Sequence, residues 1–77
     1  MDINVTVINP ERVVFQGKAK NIILPGEEGI FEILPYHKSI ISRLISGRLI
    51  IEDKVFRIHR GIAKADKNHV TIIVEDT

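Results

Sequence analysis

Residues 24–37 read Leu-Pro-Gly-Glu-Glu-Gly-Ile-Phe-Glu-Ile-Leu-Pro-Tyr-His. This segment predicts a strand, a tight turn with two carboxylates, a second strand, a proline stop and an exposed His37. Gly26 and Gly29 are expected to supply the positive backbone φ that a reversing chain requires. The prolines at the two ends have no amide hydrogen to donate, so each is expected to mark a place where strand pairing stops. The segment is therefore predicted to be a β-hairpin whose acidic tip faces solvent.

Apolar residues alternate with polar ones on both sides of this hairpin, and most of them are β-branched, which is typical of strands. The alternating sets are Ile3, Val5 and Val7; Val13 and Phe15; Ile22 and Leu24; Leu49 and Ile51; Phe56 and Ile58; and Val70, Ile72 and Val74. Residues 38–49 have apolar spacing that also resembles a helix, but we interpret them as strand, turn and strand. Residues 52–54 are expected to reverse the chain into a short hairpin. Short strands at such regular intervals favour a β-sandwich or a barrel.

Length and composition predict one domain, residues 1–77. The chain contains no cysteine, so neither a disulfide nor a thiolate metal site is expected, and a reduced, intracellular setting fits best. No apolar run approaches the roughly 20 residues of a membrane-spanning helix, and the N-terminus lacks the apolar block of a signal peptide. We therefore expect a soluble protein.

Charge is divided unevenly along the chain. Residues 1–35 contain three Lys or Arg against five Asp or Glu, whereas residues 36–74 contain eight against three. Such asymmetry favours oriented docking onto a charged partner, although a mixed solvated surface explains any single charged residue equally well.

The side chains that could perform catalysis form no recognisable motif. The serines lie outside any nucleophile elbow, and the histidines His37, His59 and His69 have no metal-site spacing, so surface positions are preferred for all three. The adjacent Glu27 and Glu28 are interpreted as solvated turn residues. The glycines beside them match no phosphate-binding or dinucleotide-binding pattern. We therefore predict no catalytic residue, no cofactor and no metal, and we consider an enzyme unfavoured.

Binding of single-stranded nucleic acid would require a basic groove with stacking aromatic residues. The basic residues available for it are Arg43, Arg48, Arg57, Arg60 and Lys64. The three phenylalanines occupy inward positions of the strand pattern, and only Tyr36 is placed for a partner. A free-standing β-sandwich or OB-like module that binds nucleic acid is the alternative hypothesis.

Residues 4–17, Asn-Val-Thr-Val-Ile-Asn-Pro-Glu-Arg-Val-Val-Phe-Gln-Gly, resemble the opening of the epsilon subunit of F-type ATP synthases. That family begins with a strand, a Pro-Glu-Arg turn and a short strand ending in Phe-x-Gly. The resemblance continues through Pro25-Gly26-x-Glu28-Gly29, Ile33-x-Pro35-x-His37, Gly47-x-Leu49-x-Ile51, Gly61 and Val70-Thr71-Ile72. It implies an all-β fold, a flattened β-sandwich of about ten short strands. The family commonly continues into a C-terminal helical hairpin that can inhibit ATP hydrolysis, and residues 1–77 are expected to form the sandwich without it.

The resemblance also implies a function. In this family the sandwich is a non-catalytic rotor subunit in the central stalk, peripheral on the cytoplasmic face of a bacterial energy-coupling membrane and not itself membrane-spanning. It joins the gamma subunit to the polar loops of the membrane c-ring, and through gamma it reaches the alpha/beta catalytic head, so that rotation driven by protons or sodium ions is coupled to ATP synthesis. With those partners no nucleic acid is expected. The implied contacts are Glu27, Glu28, Gly29 and Ile30 for the c-ring, and Tyr36, His37, Lys38, Ser39, Ile40 and Ile41 for gamma.

The chain departs from the family pattern at three places. Residues 30–32, Ile-Phe-Glu, stand where the family usually has an acidic residue, Leu and Gly. Tyr36 replaces a usual Gly, and Ser39 replaces a usual Pro. Residues 59–61, His-Arg-Gly, stand where the family has Ser-Gly-Gly. The loss of glycines predicts altered backbone angles or filled contacts at these sites.

Overall fold

A computed structural model describes residues 1–75 of the chain. Its strands are β1 (Ile3–Ile8), β2 (Val13–Ala19), β3 (Ile22–Gly26), β4 (Gly29–Ile33), β5 (Ile40–Leu44), β6 (Gly47–Ile51), β7 (Lys54–Ile58), β8 (Arg60–Asp66) and β9 (His69–Glu75). The all-β prediction is confirmed, with nine strands in this part of the chain against the expected number of about ten. Residues 1–75 include no helix that is long and apolar enough to cross a membrane.

The strands form one continuous sheet that curls back on itself in the order β2-β1-β9-β8-β5-β3-β6-β7, with β4 paired to β3. The first layer contains β2, β1, β9, β8 and β5, and the second contains β4, β3, β6 and β7. Every pair is antiparallel except β1 with β9, which is parallel. A connection between parallel strands has to cross over, and here the whole second layer lies between β1 and β9 along the chain.

The core lies between the two layers and is built from the inward side of the period-two pattern. Ile3, Val5 and Val7 of β1 are buried, and so are Val70, Ile72 and Val74 of β9. The second layer contributes Ile22, Leu24, Ile33, Leu49, Ile51 and Ile58 to the same cluster. Complete burial of one such aliphatic side chain contributes about 1.5 to 3 kcal/mol, so the core supplies the main stabilisation.

The β2 strand departs from the predicted alternation at Val13. Val7 pairs with Phe15, but the next residue of β1, Ile8, pairs with Val13, so Val14 is an extra residue in β2. A β-bulge of this kind moves the side chains beyond it to the opposite face of the sheet. Val13 is therefore 53% exposed, while the inward placement predicted for Phe15 is confirmed by its packing against the core.

Residues 38–49 contain β5, a two-residue connection, Ile45-Ser46, and the first part of β6, so the strand, turn and strand prediction is confirmed. The burial pattern shows why a helix does not form. Leu44 and Leu49 are buried, while Ile41 and Ile45 are exposed. Apolar residues at Ile41 and Ile45 lie on the outer face of the sheet and do not continue an apolar helix face.

Two tight hairpins contain residues in the left-handed region of backbone space. The predicted reversal at residues 52–54 is confirmed as the β6–β7 turn, where Glu52 has φ 54°. The carboxylate of Glu52 accepts a hydrogen bond of 2.7 Å from the Lys20 amide. The β8–β9 turn has two such residues, Lys67 with φ 50° and Asn68 with φ 61°, as a type I′ turn requires.

The side chain of Asn68 ties three parts of the chain together. Its Oδ1 accepts a hydrogen bond of 3.1 Å from the Tyr36 amide, and its Nδ2 donates to the Asp2 carbonyl at 2.6 Å. The Asn68 carbonyl accepts a further bond of 3.1 Å from the Asn4 amide. Tyr36 has φ 64°, a conformation that costs about 1 to 2 kcal/mol in a residue with a side chain. Asn68 therefore holds the loop after β4 with Tyr36 in the left-handed conformation that glycine favours, so the altered backbone angle predicted at this site is not found.

Gly61→Ala is expected to destabilise the domain by about 2 kcal/mol or more. A Cβ at Gly61 would collide with the Ile73 carbonyl oxygen on the neighbouring strand β9, and backbone atoms cannot move aside as a side chain does. Gly17→Ala is the matched control, because its new Cβ would first meet the Phe15 ring at 3.4 Å, and a change within about 1 kcal/mol is expected there. Urea denaturation measures the free energy of unfolding of both variants. Equal losses of this free energy would show that the collision with the Ile73 carbonyl is not what destabilises Gly61→Ala.

Asn68→Gly is expected to lower the free energy of unfolding by about 1 to 2 kcal/mol, because it removes both side-chain hydrogen bonds while it tolerates the positive φ. Lys67→Gly is the control. It changes the same turn without removing a side-chain hydrogen bond, so its free energy of unfolding is expected to change by no more than about 1 kcal/mol. Hydrogen exchange supplies a second measurement, since the Tyr36 amide should exchange faster in Asn68→Gly alone. Unchanged exchange at Tyr36 would show that Asn68 does not hold this loop.

Candidate functional site

The predicted β-hairpin is present, and its acidic tip lies between β3 and β4. Gly26 pairs with Gly29, and Glu27 and Glu28 form the turn between them. Both glutamates are exposed, and within residues 1–75 neither carboxylate has a hydrogen bond or an ion pair. The tip therefore presents two adjacent negative charges to solvent.

The two glycines of the tip have different roles. Gly29 has φ 131°, as predicted, whereas Gly26 has no positive φ, so that part of the prediction is wrong. Gly26 is constrained by space. A Cβ there would lie 2.7 Å from the Gly29 carbonyl oxygen and 2.7 Å from the Phe31 ring. Close packing inside the hairpin, and not backbone angle, explains glycine at this position.

The two prolines also differ. Pro35 follows the end of β4, as predicted, and its turn closes through a 3.2 Å hydrogen bond from the His37 amide to the Leu34 carbonyl. Pro25 does not end the pairing with β4, because it pairs with Ile30, so that prediction is wrong. On its other side, β3 pairs with β6 before Pro25 and with β5 after it. Pro25, which has no amide hydrogen, thus lies at the point where β3 changes its partner strand from β6 to β5.

The hairpin tip and β5 form the two walls of a groove of about 570 Å³, which we call the tip groove. It is lined by residues 26–31, His37 and residues 40–43. The Glu27 amide donates a 3.0 Å hydrogen bond to the Arg43 carbonyl, which fixes the tip against β5. The tip groove thus brings together all four residues expected at the c-ring and three of those expected at gamma, namely His37, Ile40 and Ile41.

The rim of the tip groove combines apolar side chains with charges. Ile30 is 79% exposed on one wall and Ile41 is 76% exposed on the other. Glu27 and Glu28 supply negative charge beside them, and Arg43 supplies positive charge. Exposed aliphatic residues within a charged rim are typical of protein docking surfaces.

The remaining predicted gamma contacts, Tyr36, Lys38 and Ser39, are exposed but lie outside the tip groove. Tyr36 is held by Asn68, and Ser39 Oγ donates a 3.0 Å hydrogen bond to Asp66 Oδ1 on β8. The loop that contains them is thus attached to the β8–β9 hairpin, and its exposed side chains form a separate part of the surface.

The histidines occupy three different places in the fold. His37 lies in the loop after β4, His59 lies between β7 and β8, and His69 begins β9. Ser46 Oγ donates to the His59 carbonyl at 2.8 Å, and Thr6 Oγ1 lies 3.4 Å from His69 Nε2. No group of three or more His, Asp or Glu side chains that could hold a metal ion is found among residues 1–75.

The basic residues of the nucleic-acid hypothesis do not form one groove. Arg43 and Lys64 lie on β5 and β8 of the first layer, while Arg48 and Arg57 are opposite each other on β6 and β7 of the second. Arg60 forms an ion pair of 3.2 Å with Glu75. A continuous basic track for a phosphate backbone is therefore lacking on this part of the surface.

Sequence reasoning missed two features of this surface. The anchoring role of Asn68 had a signal, because Asn is common at left-handed turn positions, but its partners Asp2 and Tyr36 are distant in sequence. The opposition of Arg48 and Arg57 follows from the β6–β7 turn, and a register count from the predicted turn at residues 52–54 would have found it.

Comparison with known proteins agrees with this architecture. The family model "ATP synthase, Delta/Epsilon chain, beta-sandwich domain" matches residues 2–77. The ATP synthase epsilon chain of Campylobacter curvus is 36% identical over 78 residues, which is 95% of this chain and 60% of the relative. That of Leptospira interrogans is 32% identical over 77 residues, covering 95% of this chain and 61% of the relative. The chain thus spans about three-fifths of the length of these curated relatives.

Solved structures share the fold. A chain of the Tetrahymena thermophila mitochondrial ATP synthase central stalk and c-ring superposes with a TM-score of 0.82 at 17% identity, over 99% of this chain and 65% of that one. A chain of the Euglena gracilis mitochondrial ATP synthase superposes with a TM-score of 0.85 at 22% identity, over 95% of this chain and 50% of that one. With the match of the family model over nearly all its residues, this chain belongs to the family of ATP synthase delta/epsilon chain β-sandwich domains.

Proposed function

We propose that this chain acts as the N-terminal sandwich of a rotor epsilon subunit in an F-type ATP synthase. It links the gamma subunit to the polar loops of the c-ring, and through gamma it couples ion translocation to ATP synthesis in the alpha/beta head. Its role is non-catalytic, and it is peripheral on the cytoplasmic face of a bacterial energy-coupling membrane. The observation that supports this most strongly is the family match from residue 2 to residue 77.

The geometry of the tip supports a role in docking. In this proposal Glu27, Glu28, Gly29 and Ile30 contact the c-ring. The two free carboxylates attract basic groups on a polar loop, and the 79% exposed Ile30 beside them loses its contact with water when the loop binds. The Glu27–Arg43 backbone hydrogen bond holds the tip in place, so little conformational entropy is lost on docking.

The gamma contact in this proposal is the segment from Tyr36 to Ile41. Ile41 on the far wall of the tip groove and Tyr36 on the loop are both largely exposed, at 76% and 67%. Tyrosine and aliphatic side chains of this kind are enriched in protein interfaces. Since His37, Ile40 and Ile41 face the same groove as the hairpin tip, the two partners would meet at opposite walls of one groove.

The test is reconstitution with an ATP synthase from the source organism that has been stripped of its epsilon subunit. The chain is expected to bind the isolated gamma subunit, and to bind the c-ring in detergent once gamma is present. Failure to associate with either one would contradict the proposed function.

Glu28→Lys is expected to leave the fold intact, because the Glu28 carboxylate has no partner within residues 1–75. Binding to the c-ring should weaken about tenfold, since a charge of the wrong sign in an interface rim costs about 1 to 2 kcal/mol. Affinity for the solubilised c-ring and the rate of ATP synthesis in reconstituted vesicles are the measurements.

Glu11→Lys is the matched control for Glu28→Lys. Glu11 is an exposed carboxylate in the β1–β2 connection and does not line the tip groove. The Glu11→Lys variant should bind the c-ring with the same affinity as the unmodified chain. Equal effects of the two substitutions, or unchanged binding by Glu28→Lys, would contradict the placement of the hairpin tip at the c-ring.

A further inference from the structure

The outer face of the second layer has a groove of about 520 Å³ that is distinct from the tip groove. Strand register places Ile23 beside Ile50, and Pro25 beside Ile30. These aliphatic side chains form the floor and one rim, with exposed Ile45 at one end. We call this the second-layer groove.

Two arginines form the other wall of the second-layer groove. Arg48 and Arg57 are directly opposite each other on β6 and β7, and both are exposed. Like charges that face each other across strands destabilise a sheet. Within residues 1–75 neither guanidinium has a carboxylate within ion-pair distance. The pair therefore presents two positive charges, neither of them in an ion pair within residues 1–75, beside an apolar floor.

Negative charge lies in and beside the groove. Glu27 lines it at the hairpin end. Glu32 is outside the lining, but it is paired with Ile23 on the same outer face, and its carboxylate accepts a 2.9 Å hydrogen bond from Asn21 Nδ2. These carboxylates repel an extended polyanion such as a nucleic-acid strand or an anionic membrane surface. A short segment with one or two carboxylates and aliphatic neighbours matches both the arginines and the floor.

We propose that the second-layer groove binds an acidic, aliphatic segment of a partner protein, with a carboxylate held between Arg48 and Arg57 and an aliphatic side chain on Ile23 and Ile50. Arginine suits this role because its planar guanidinium donates two parallel hydrogen bonds to a carboxylate. The inference goes beyond the proposed function, since Arg48 and Arg57 belong to neither of the contacts assigned there. The groove shares Glu27, Gly29 and Ile30 with the proposed c-ring contact, but the argument from the two arginines does not depend on that contact.

The test uses the tripeptide acetyl-Leu-Glu-Leu-amide as a probe, followed by amide chemical shifts of the isotope-labelled chain. Saturable shifts are expected at residues 48, 50 and 57, with a dissociation constant in the range of about 1 to 10 mM for so small a ligand. The isosteric probe acetyl-Leu-Gln-Leu-amide should bind at least about fivefold more weakly, because it lacks the charge.

The double substitution R48Q/R57Q is expected to weaken binding of the glutamate probe by about tenfold or more. Its fold should persist, because it removes a repulsive pair on an exposed surface, and this is checked by circular dichroism. The control K18Q/K64Q removes the same charge from exposed positions of the first layer and should leave probe binding unchanged.

Four results with the peptide probes would overturn the proposal. They are the absence of saturable shifts, equal binding of the Glu and Gln probes, unchanged binding by R48Q/R57Q, and shifts that map to the first layer. Vesicles of phosphatidylglycerol and a thymidine oligonucleotide of about ten nucleotides are tested in parallel. If either binds through Arg48 and Arg57 more tightly than the glutamate probe, the assignment to an acidic protein segment is wrong. None of these measurements uses gamma or a c-ring. A negative result here therefore leaves the proposed function standing, and failure to assemble with gamma or the c-ring leaves this proposal standing.

Discussion

Strand β3 changes its hydrogen-bonding neighbour along its length, and this single change joins the two layers of the sandwich. Ile22 and Ile23 pair with β6, whereas Gly26 pairs with β5 of the other layer. If β3 paired with the same strand along its whole length, the sheet would stay open and its apolar face would be exposed to water. Because β3 passes from one layer to the other, the inward faces of both layers meet in one core.

Small and rigid residues make this crossing possible. A Cβ at Gly47 on β6 would lie 2.9 Å from the Pro25 ring, and a Cβ at Gly26 would meet Phe31. The backbone has to approach closely where the layers join, and only glycine allows that approach. Directly after the crossing the chain turns at Glu27 and Glu28, and the Glu27 amide is hydrogen-bonded to the Arg43 carbonyl of β5. The same feature that closes the core thus places the acidic tip at the surface.

The two grooves on either side of this tip differ in charge and composition. The tip groove has unpaired carboxylates facing Arg43 and Ile41, while the second-layer groove has Arg48 and Arg57 beside aliphatic residues. Both share the hairpin as a wall and Glu27 lines both. The tip groove combines two carboxylates with one arginine, whereas the second-layer groove combines two arginines with one carboxylate. Such an arrangement favours two partners of different charge at adjacent sites.

The sequence by itself determined the strands and the core. Alternation of β-branched residues identified the buried sets of β1 and β9, and turn residues located the reversals, because both are local properties of the chain. It also determined which side chains of the hairpin tip are exposed, since Glu27 and Glu28 follow a strand and precede a glycine. Local patterns failed at Val13, where a bulge reversed the facing, and at Gly26 and Pro25, whose roles depend on the strands beside them. Only the tertiary structure decided that the tip and Ile41 share one groove, that Asn68 holds the Tyr36 loop, and that the basic residues divide between two faces. Each of these is a contact between residues far apart in the chain, and it exists only because β3 folds one layer over the other.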